Sequence, residues 1–185
     1  NVWTNAETRF LPRDRWDACG DAGKWEALLE SLKGRECYGG LDVANTSDLT
    51  AFVLAFPWGE VRGQPSYRLK CWFFCPGDAD DFQAEKLRRR LFPWAQAGYV
   101  EMTPGNAIDI SRVEECITEA SGRYQIRAAC YDPFNCESTA QRLAEHGLNM
   151  LRFPQNMGSY NEPARAFERG VMDGRIQHAN NPVLR

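Results

Sequence analysis

The chain has 185 residues, 43% of them hydrophobic and 25% charged, with a formal net charge of −3. That is ordinary single-domain composition with enough length to bury a core, which excludes a small stapled scaffold. The mild acidity also argues against a strongly basic nucleic-acid binder, although a carboxylate site in an acidic domain is compatible with a locally basic DNA face.

The seven cysteines, at positions 19, 37, 71, 75, 116, 130 and 136, form no CxxC pair, and there are only two histidines. That pattern speaks against zinc and reads as free thiols in a reducing cytoplasm. No signal peptide or membrane-spanning run is present, so no membrane partner is expected, and the sequon Asn45-Thr46-Ser47 carries no meaning without a secretory route.

Residues 1–36 read as an irregular, tryptophan-rich leader (Trp3, Trp16, Trp25) with one short helix at Lys24–Lys33. Gly20-Asp-Ala-Gly23-Lys24 is too short for a phosphate loop, and no Ser or Thr follows the lysine. Cys37–Val43, Thr50–Phe56 and Tyr67–Phe74 then read as three successive strands in an antiparallel meander, with Pro57-Trp58-Gly59 closing the second. Asp80–Leu91 is a charged helix and Tyr99–Met102 a brief strand. Ser111-Arg112-Val113-Glu114 has capping-box spacing ahead of a helix whose face is Val113, Cys116, Ile117 and Ala120. Ile126–Tyr131 is an apolar strand ending at Asp132-Pro133. A helix follows over Cys136–His146, then a short strand at Asn149–Phe153, a helix near Glu162–Asp173 and an extended piece at Arg175–His178. Three strands followed by alternating helices and strands predict an α/β fold, a mixed sheet with helices on both faces.

Asp42 interrupts an apolar strand, where an unpaired carboxylate is costly. Asp132 follows an apolar strand and precedes a helix, where α/β sheets place ligand groups. Two such carboxylates fit a site for hard divalent cations, with Asp48 a further ligand or outer carboxylate. By spacing alone each also reads blandly: a satisfied strand Asp, an Asp-Pro turn, a turn-bonding Asp48.

In joint order, CYGGLDVANTSDLTAFVLAFP, GYVEMTPGNAIDISRVEECI with AACYDPFN, and LRFPQNMGSYNEPARAFERGVMDGRIQHANNPVLR resemble the nuclease domain of tailed-bacteriophage terminase large subunits. NVWTNAETRFLPRDRWDAC resembles the connector that follows the packaging ATPase domain. The resemblance implies a ribonuclease-H-like fold: three antiparallel strands, then parallel ones. It also implies a Mg²⁺- or Mn²⁺-dependent endonuclease with two metals in the complete domain, cutting concatemeric double-stranded DNA. Asp42 and Asp132 carry over as catalytic metal ligands, and Asp48 as a further acidic position. Residues 1–36 would be the connector after an absent ATPase domain, and 37–185 a nuclease domain stopping short of a third carboxylate. The terminase small subunit, the portal and the ATPase domain would be partners, in the cytoplasm of an infected bacterial host.

Lys86, Arg88, Arg89 and Arg90 read first as a solvated helix face and second as a DNA track, as do Arg152, Arg165, Arg169 and Arg175. His178 is expected at the surface, with an approach to the site as the sharper alternative. The competing functions are another ribonuclease-H-like nuclease, such as a resolvase or transposase core, and a non-catalytic DNA-binding or motor-docking module.

Overall fold

A meander of three strands forms the middle of a seven-stranded sheet: β1 (Glu36–Asp42), β2 (Thr50–Val61) and β3 (Gln64–Pro76). The computed structural model describes residues 10–21, 23, 25–44, 48–78 and 82–184. Trp3, the triplet Asn45-Thr46-Ser47 and the helix starts expected at Lys24 and Asp80 lie outside them.

Strict alternation places Phe52, Leu54 and Phe56 of β2 on one face, all fully buried. β2 does not end at Pro57-Trp58-Gly59, as the turn-forming residues suggest. It absorbs them in a register shift between Pro57 and Glu60, with Gly59 at a φ of 75°, and runs on to Val61. The reversal comes at Arg62 (φ 52°) and Gly63 (φ 72°), a two-residue hairpin loop whose left-handed pair matches the strand twist.

Beyond the meander come α3 (Phe82–Gln96), β4 (Glu101–Thr103), α4 (Ile110–Arg123), β5 (Gln125–Tyr131) and α5 (Pro133–Glu145). They are followed by β6 (Met150–Arg152), α6 (Met157–Met172), β7 (Ile176–His178) and a 3-10 turn at Pro182–Leu184. The sheet order is β4-β3-β2-β1-β5-β6. β5 runs parallel to β1, and β6 parallel to β5. β4 and β7 both pair parallel with β3, at Phe74–Pro76 and Tyr67–Leu69, so they lie end to end along one edge. This is the expected mixed sheet, antiparallel in the meander and parallel beyond it.

Helices cover both faces. On one, the predicted stripe of α4 (Val113, Cys116, Ile117, Ala120) and Cys136, Ala140 and Leu143 of α5 bury the even-numbered side chains of β2. On the other, α6 packs over Leu69 and Ile176, and α3 over Phe73 and Cys75.

Two helix starts differ from expectation. α4 is capped by Asp109, whose carboxylate accepts from the N–H groups of Ser111 (3.0 Å) and Arg112 (3.3 Å). Glu114, the other half of the expected capping box, instead pairs with Arg142 at 2.7 Å. α6 begins a turn earlier than expected because Asn156 caps it, accepting from Ser159 N–H at 3.0 Å. Pro163 lies inside this helix rather than at its start.

The described part of the leader, from residue 10 on, is more ordered than its sequence suggests. It forms α1 (Arg13–Ala18) and α2 (Trp25–Leu32). Trp16 of α1 stacks on His178 with ring centroids 4.1 Å apart. Asn180 N–H donates to His178 Nδ1 at 3.1 Å, which leaves the Nε2 proton to the Trp16 carbonyl, also at 3.1 Å. His178 is therefore neither a surface residue nor near the carboxylates. It is fully buried, and its partner on β3, Leu69, lies four residues from Phe73, the β3 residue in line with Ala51 and Asp42. Within an otherwise polar tail, burial against a tryptophan from the leader left no local signal.

Candidate active site

The register of β1 on β5 brings the acidic residues together. Leu41 pairs with Tyr131, so the next residue on each strand, Asp42 and Asp132, emerges side by side at the carboxyl ends of two parallel strands. Strand alternation sorts their neighbours. Leu41 points into the core, while Gly40 and Asp42 face the opposite side together with their β2 partners Val53 and Ala51.

Asp132 ends its strand and caps α5, accepting from the Phe134 N–H at 3.2 Å. The helix does not settle into regular geometry until past Asn135, which has a φ of 66°. This places the Asp132 carboxylate at the strand–helix junction, with one oxygen held by backbone.

Asp42 and Asp132 share a cleft of about 220 Å³. Its other walls include Cys130, Phe153, Gln155 and Tyr160, and among the described residues no Lys, Arg or His lines it. Gln155 Nε2 donates to Asp42 Oδ1 at 3.5 Å. Burial holds the Asp42 carboxyl above the usual carboxylate range. The negative charges of Asp132 and Asp48 push the same way, against the Gln155 hydrogen bond. Tyr160, in the first turn of α6, packs its ring on Phe153 at 5.5 Å. Its hydroxyl is pushed above the usual phenol range by burial, then by the charges of Asp42 and Asp132.

Asp48 stands apart from the pair. It is exposed in the β1–β2 loop, where its Oδ1 accepts from the Leu49 N–H at 2.8 Å, and its charge reaches Asp42. The loop is pinned at its base by the buried Thr50 hydroxyl, which accepts from the Ala44 N–H at 3.0 Å.

Among the described residues no group of three or more His, Cys, Asp or Glu side chains draws together as a metal cluster. The chemistry of the donors nevertheless fits a hard divalent cation. Two carboxylates, with a third charge nearby and an amide beside them, repel one another in a cleft that supplies no cationic side chain.

Gln155 and Tyr160 belong to this site, although sequence reasoning missed both. Gln155 could have been found by the rule that pointed to Asp132, since it lies just past the carboxyl end of a parallel strand. Tyr160 gave no signal, because its direction depends on where α6 begins. The basic residues do not line the cleft. Arg88 and Arg89 pair with Glu85, Arg152 with Glu137, and Arg175 with Asp173. Lys86, Arg90, Arg165 and Arg169 lie exposed on α3 and α6.

A mixed sheet begun by an antiparallel meander and continued by parallel strands, with helices on both faces, is of ribonuclease-H-like architecture. The family model for the terminase large subunit, endonuclease domain, matches residues 1–185, and the chain belongs to that family. The large terminase subunit of Enterobacteria phage HK97 is 25% identical over 177 residues, covering 95% of this chain and 33% of the relative. In fold, the chain is similar to the crystal structure of the HK97 bacteriophage large terminase. The TM-score is 0.76 at 24% identity, over 96% of this chain and 35% of that one. The chain thus spans about a third of the length of the relatives it matches.

Proposed function

We propose that this chain is the metal-dependent endonuclease part of a DNA-packaging terminase, cutting concatemeric double-stranded DNA at phosphodiester bonds. The observation that carries this reading is the pairing of Asp42 and Asp132 at neighbouring strand ends, in a cleft lined by no basic side chain. Mg²⁺ or Mn²⁺ bound there would supply a water of lowered pKa and neutralise charge building on the phosphate.

The chain's own residues have separable parts in this reading. Asp42 and Asp132 hold the cation, and the backbone hydrogen bond on Asp132 fixes which oxygen it turns to the cleft. Asp48 adds negative charge from the loop and serves as a further ligand or outer carboxylate. Gln155 orients Asp42, and Tyr160 with Phe153 walls the cleft against solvent. Residues 37–185 are the nuclease domain and 1–36 the connector from an ATPase domain. The terminase small subunit and the portal are partners, and the infected host's cytoplasm is the setting.

Nicking of supercoiled plasmid in Mn²⁺ tests the assignment, comparing the chain, a longer version extended beyond Arg185 and the Asp42→Ala variant of each. Nicking that depends on both metal and Asp42 is the expected outcome. A folded longer protein that leaves plasmid intact with every divalent metal would refute it. The second reading, a non-catalytic DNA-binding or motor-docking module, is favoured by one observation: no three-carboxylate cluster forms among the described residues.

A further inference from the structure

At its β3 margin, the sheet face opposite the carboxylate cleft gathers positive charge on half-buried and exposed residues. Strand pairing puts Arg68, Lys70 and Trp72 of β3 in line with Phe56, Leu54 and Phe52 of β2, whereas Asp42 shares the other face with Ala51. Trp58, on the same side, is covered by two guanidinium groups, Arg35 at 4.2 Å and Arg68 at 4.7 Å from the ring centre. Lys70 sits over Trp72 at 4.6 Å. Arg123, at the end of α4, lies close enough for its charge to act on Lys70, and its carbonyl accepts from the Gly34 N–H at 2.8 Å, next to Arg35.

These four cations form no ion pair among the described residues, although the chain as a whole is acidic. Glu60 lines a pocket with Trp58 and Arg68, and no ion pair between Glu60 and Arg68 is formed among the described residues. Glu30 is bonded to Lys33 at 2.6 Å, and the charge of Asp21 acts on Arg68. Arg68 Nε is buried with no hydrogen-bond partner among the described residues. Like charges held together with fewer counter-charges than cations raise the energy of the folded chain unless something anionic meets them. The tryptophans hold the cations in place by cation–π attraction, more strongly where water is excluded.

We propose that this face is a second DNA-contacting surface, gripping the sugar–phosphate backbone of duplex DNA on the side of the sheet away from the cleft. Both indole rings already carry cations, so they are not open platforms for unpaired bases, and the contact is to phosphate and independent of sequence. DNA is preferred to an acidic protein because its charge is a regular row of phosphate oxygens that planar guanidinium groups bind well. The choice of DNA as the polyanion rests on the endonuclease reading.

The test is the salt dependence of binding to a short fluorescent duplex, read by anisotropy in EDTA so that no cutting intervenes. Arg35 and Arg123 are exposed, so the double variant Arg35→Glu/Arg123→Glu leaves the core intact, which a thermal melt checks. Arg13→Glu/Arg15→Glu, on exposed positions of α1, makes the same change in net charge elsewhere. The expected result is a loss of roughly tenfold or more at about 50 mM salt. The slope of log K against log salt should also become shallower by about 2, whereas the α1 control keeps the wild-type slope. An Arg35→Glu/Arg123→Glu slope equal to the control's overturns the proposal. So does competition by polyglutamate as strong as that by DNA, which would make the surface one for an acidic protein. Plasmid left uncut, with the slopes as expected, would count against the endonuclease reading while supporting this surface.

Discussion

Replacing Gly39 by alanine should loosen the strand pair that sets the two aspartates beside each other. A Cβ built at Gly39 lies 2.9 Å from Ala129 Cβ, and 3.4 Å from both Ala129 Cα and Phe52 Cε2. Carbon atoms rest about 3.5–4.0 Å apart, so β1 and β5 must part by roughly 0.6–1 Å at this point. Overpacking of this kind costs about 1–3 kcal/mol, offset by about 0.5–1 kcal/mol from removing a glycine from a strand. The net loss of about 1–2 kcal/mol corresponds to roughly 3–6 °C in Tm for a domain of this size. Urea denaturation followed by circular dichroism measures it in a cycle with Ala129→Gly, which removes the atom met by the new methyl. The double variant should recover at least about 1 kcal/mol relative to additivity. Nicking should fall in Gly39→Ala and return in the double variant, because Asp42 and Asp132 each follow three residues after the clashing pair. A Gly39→Ala midpoint equal to wild type, or no rescue by Ala129→Gly, would refute the close-approach argument. Gly40→Ala is the control, since nothing lies within 4 Å of its Cβ position.

Asp42→Asn should abolish nicking yet stabilise the metal-free fold at neutral pH. The folded chain holds the Asp42 proton more tightly than the unfolded chain, so stability falls as pH rises from about 3.8 through the raised folded-state value. The gain from the amide, up to about 1 kcal/mol for a solvent-screened site, should vanish below that window in melts run in EDTA. Asp109→Ala should cost about 1 kcal/mol by uncapping α4, read from the urea midpoint. Burial pushes the thiols of Cys37, Cys71 and Cys136 up to about 12 and those of Cys75 and Cys116 up to about 11. Iodoacetamide at pH 8, followed by peptide mass analysis, should therefore find these five protected and label Cys130, in the cleft wall, first.

The sheet was legible where strands are long and their burial alternates. Thr50–Phe56 and Ile126–Tyr131 stand out as apolar runs, Tyr67–Phe74 by its alternation, and α4 shows its buried stripe at helical spacing. What escaped was set by partners distant in sequence. Pro57 and Gly59 are local strand breakers, but pairing with Tyr67 and Pro65 carries β2 through them as a bulge. Ser111 offered a cap, and Asp109 took the place because its backbone N–H is itself bonded to Thr103 Oγ1 at 3.1 Å. The two principal carboxylates announced themselves by interrupting or ending apolar strands. Gln155, Tyr160 and the cations around Trp58 did not, because their neighbourhoods come from β6, α6 and the β2–β3 hairpin.

The join between the leader and β7 also has a mechanical meaning. His178 N–H donates to the Cys19 carbonyl at 3.1 Å, and its own carbonyl accepts from the Asp21 N–H at 3.1 Å. Residues 19–21 thus extend the sheet beyond β7, with the Trp16 ring stacked on His178 beside them. A pull on the chain ahead of Phe10 enters the sheet at this edge, through β7 into β3, before it can reach β1. Asp42 and Asp132 sit on the far side of the meander from that edge. Load applied at Phe10 is therefore taken up at the β7–β3 edge, with the meander between it and the two aspartates.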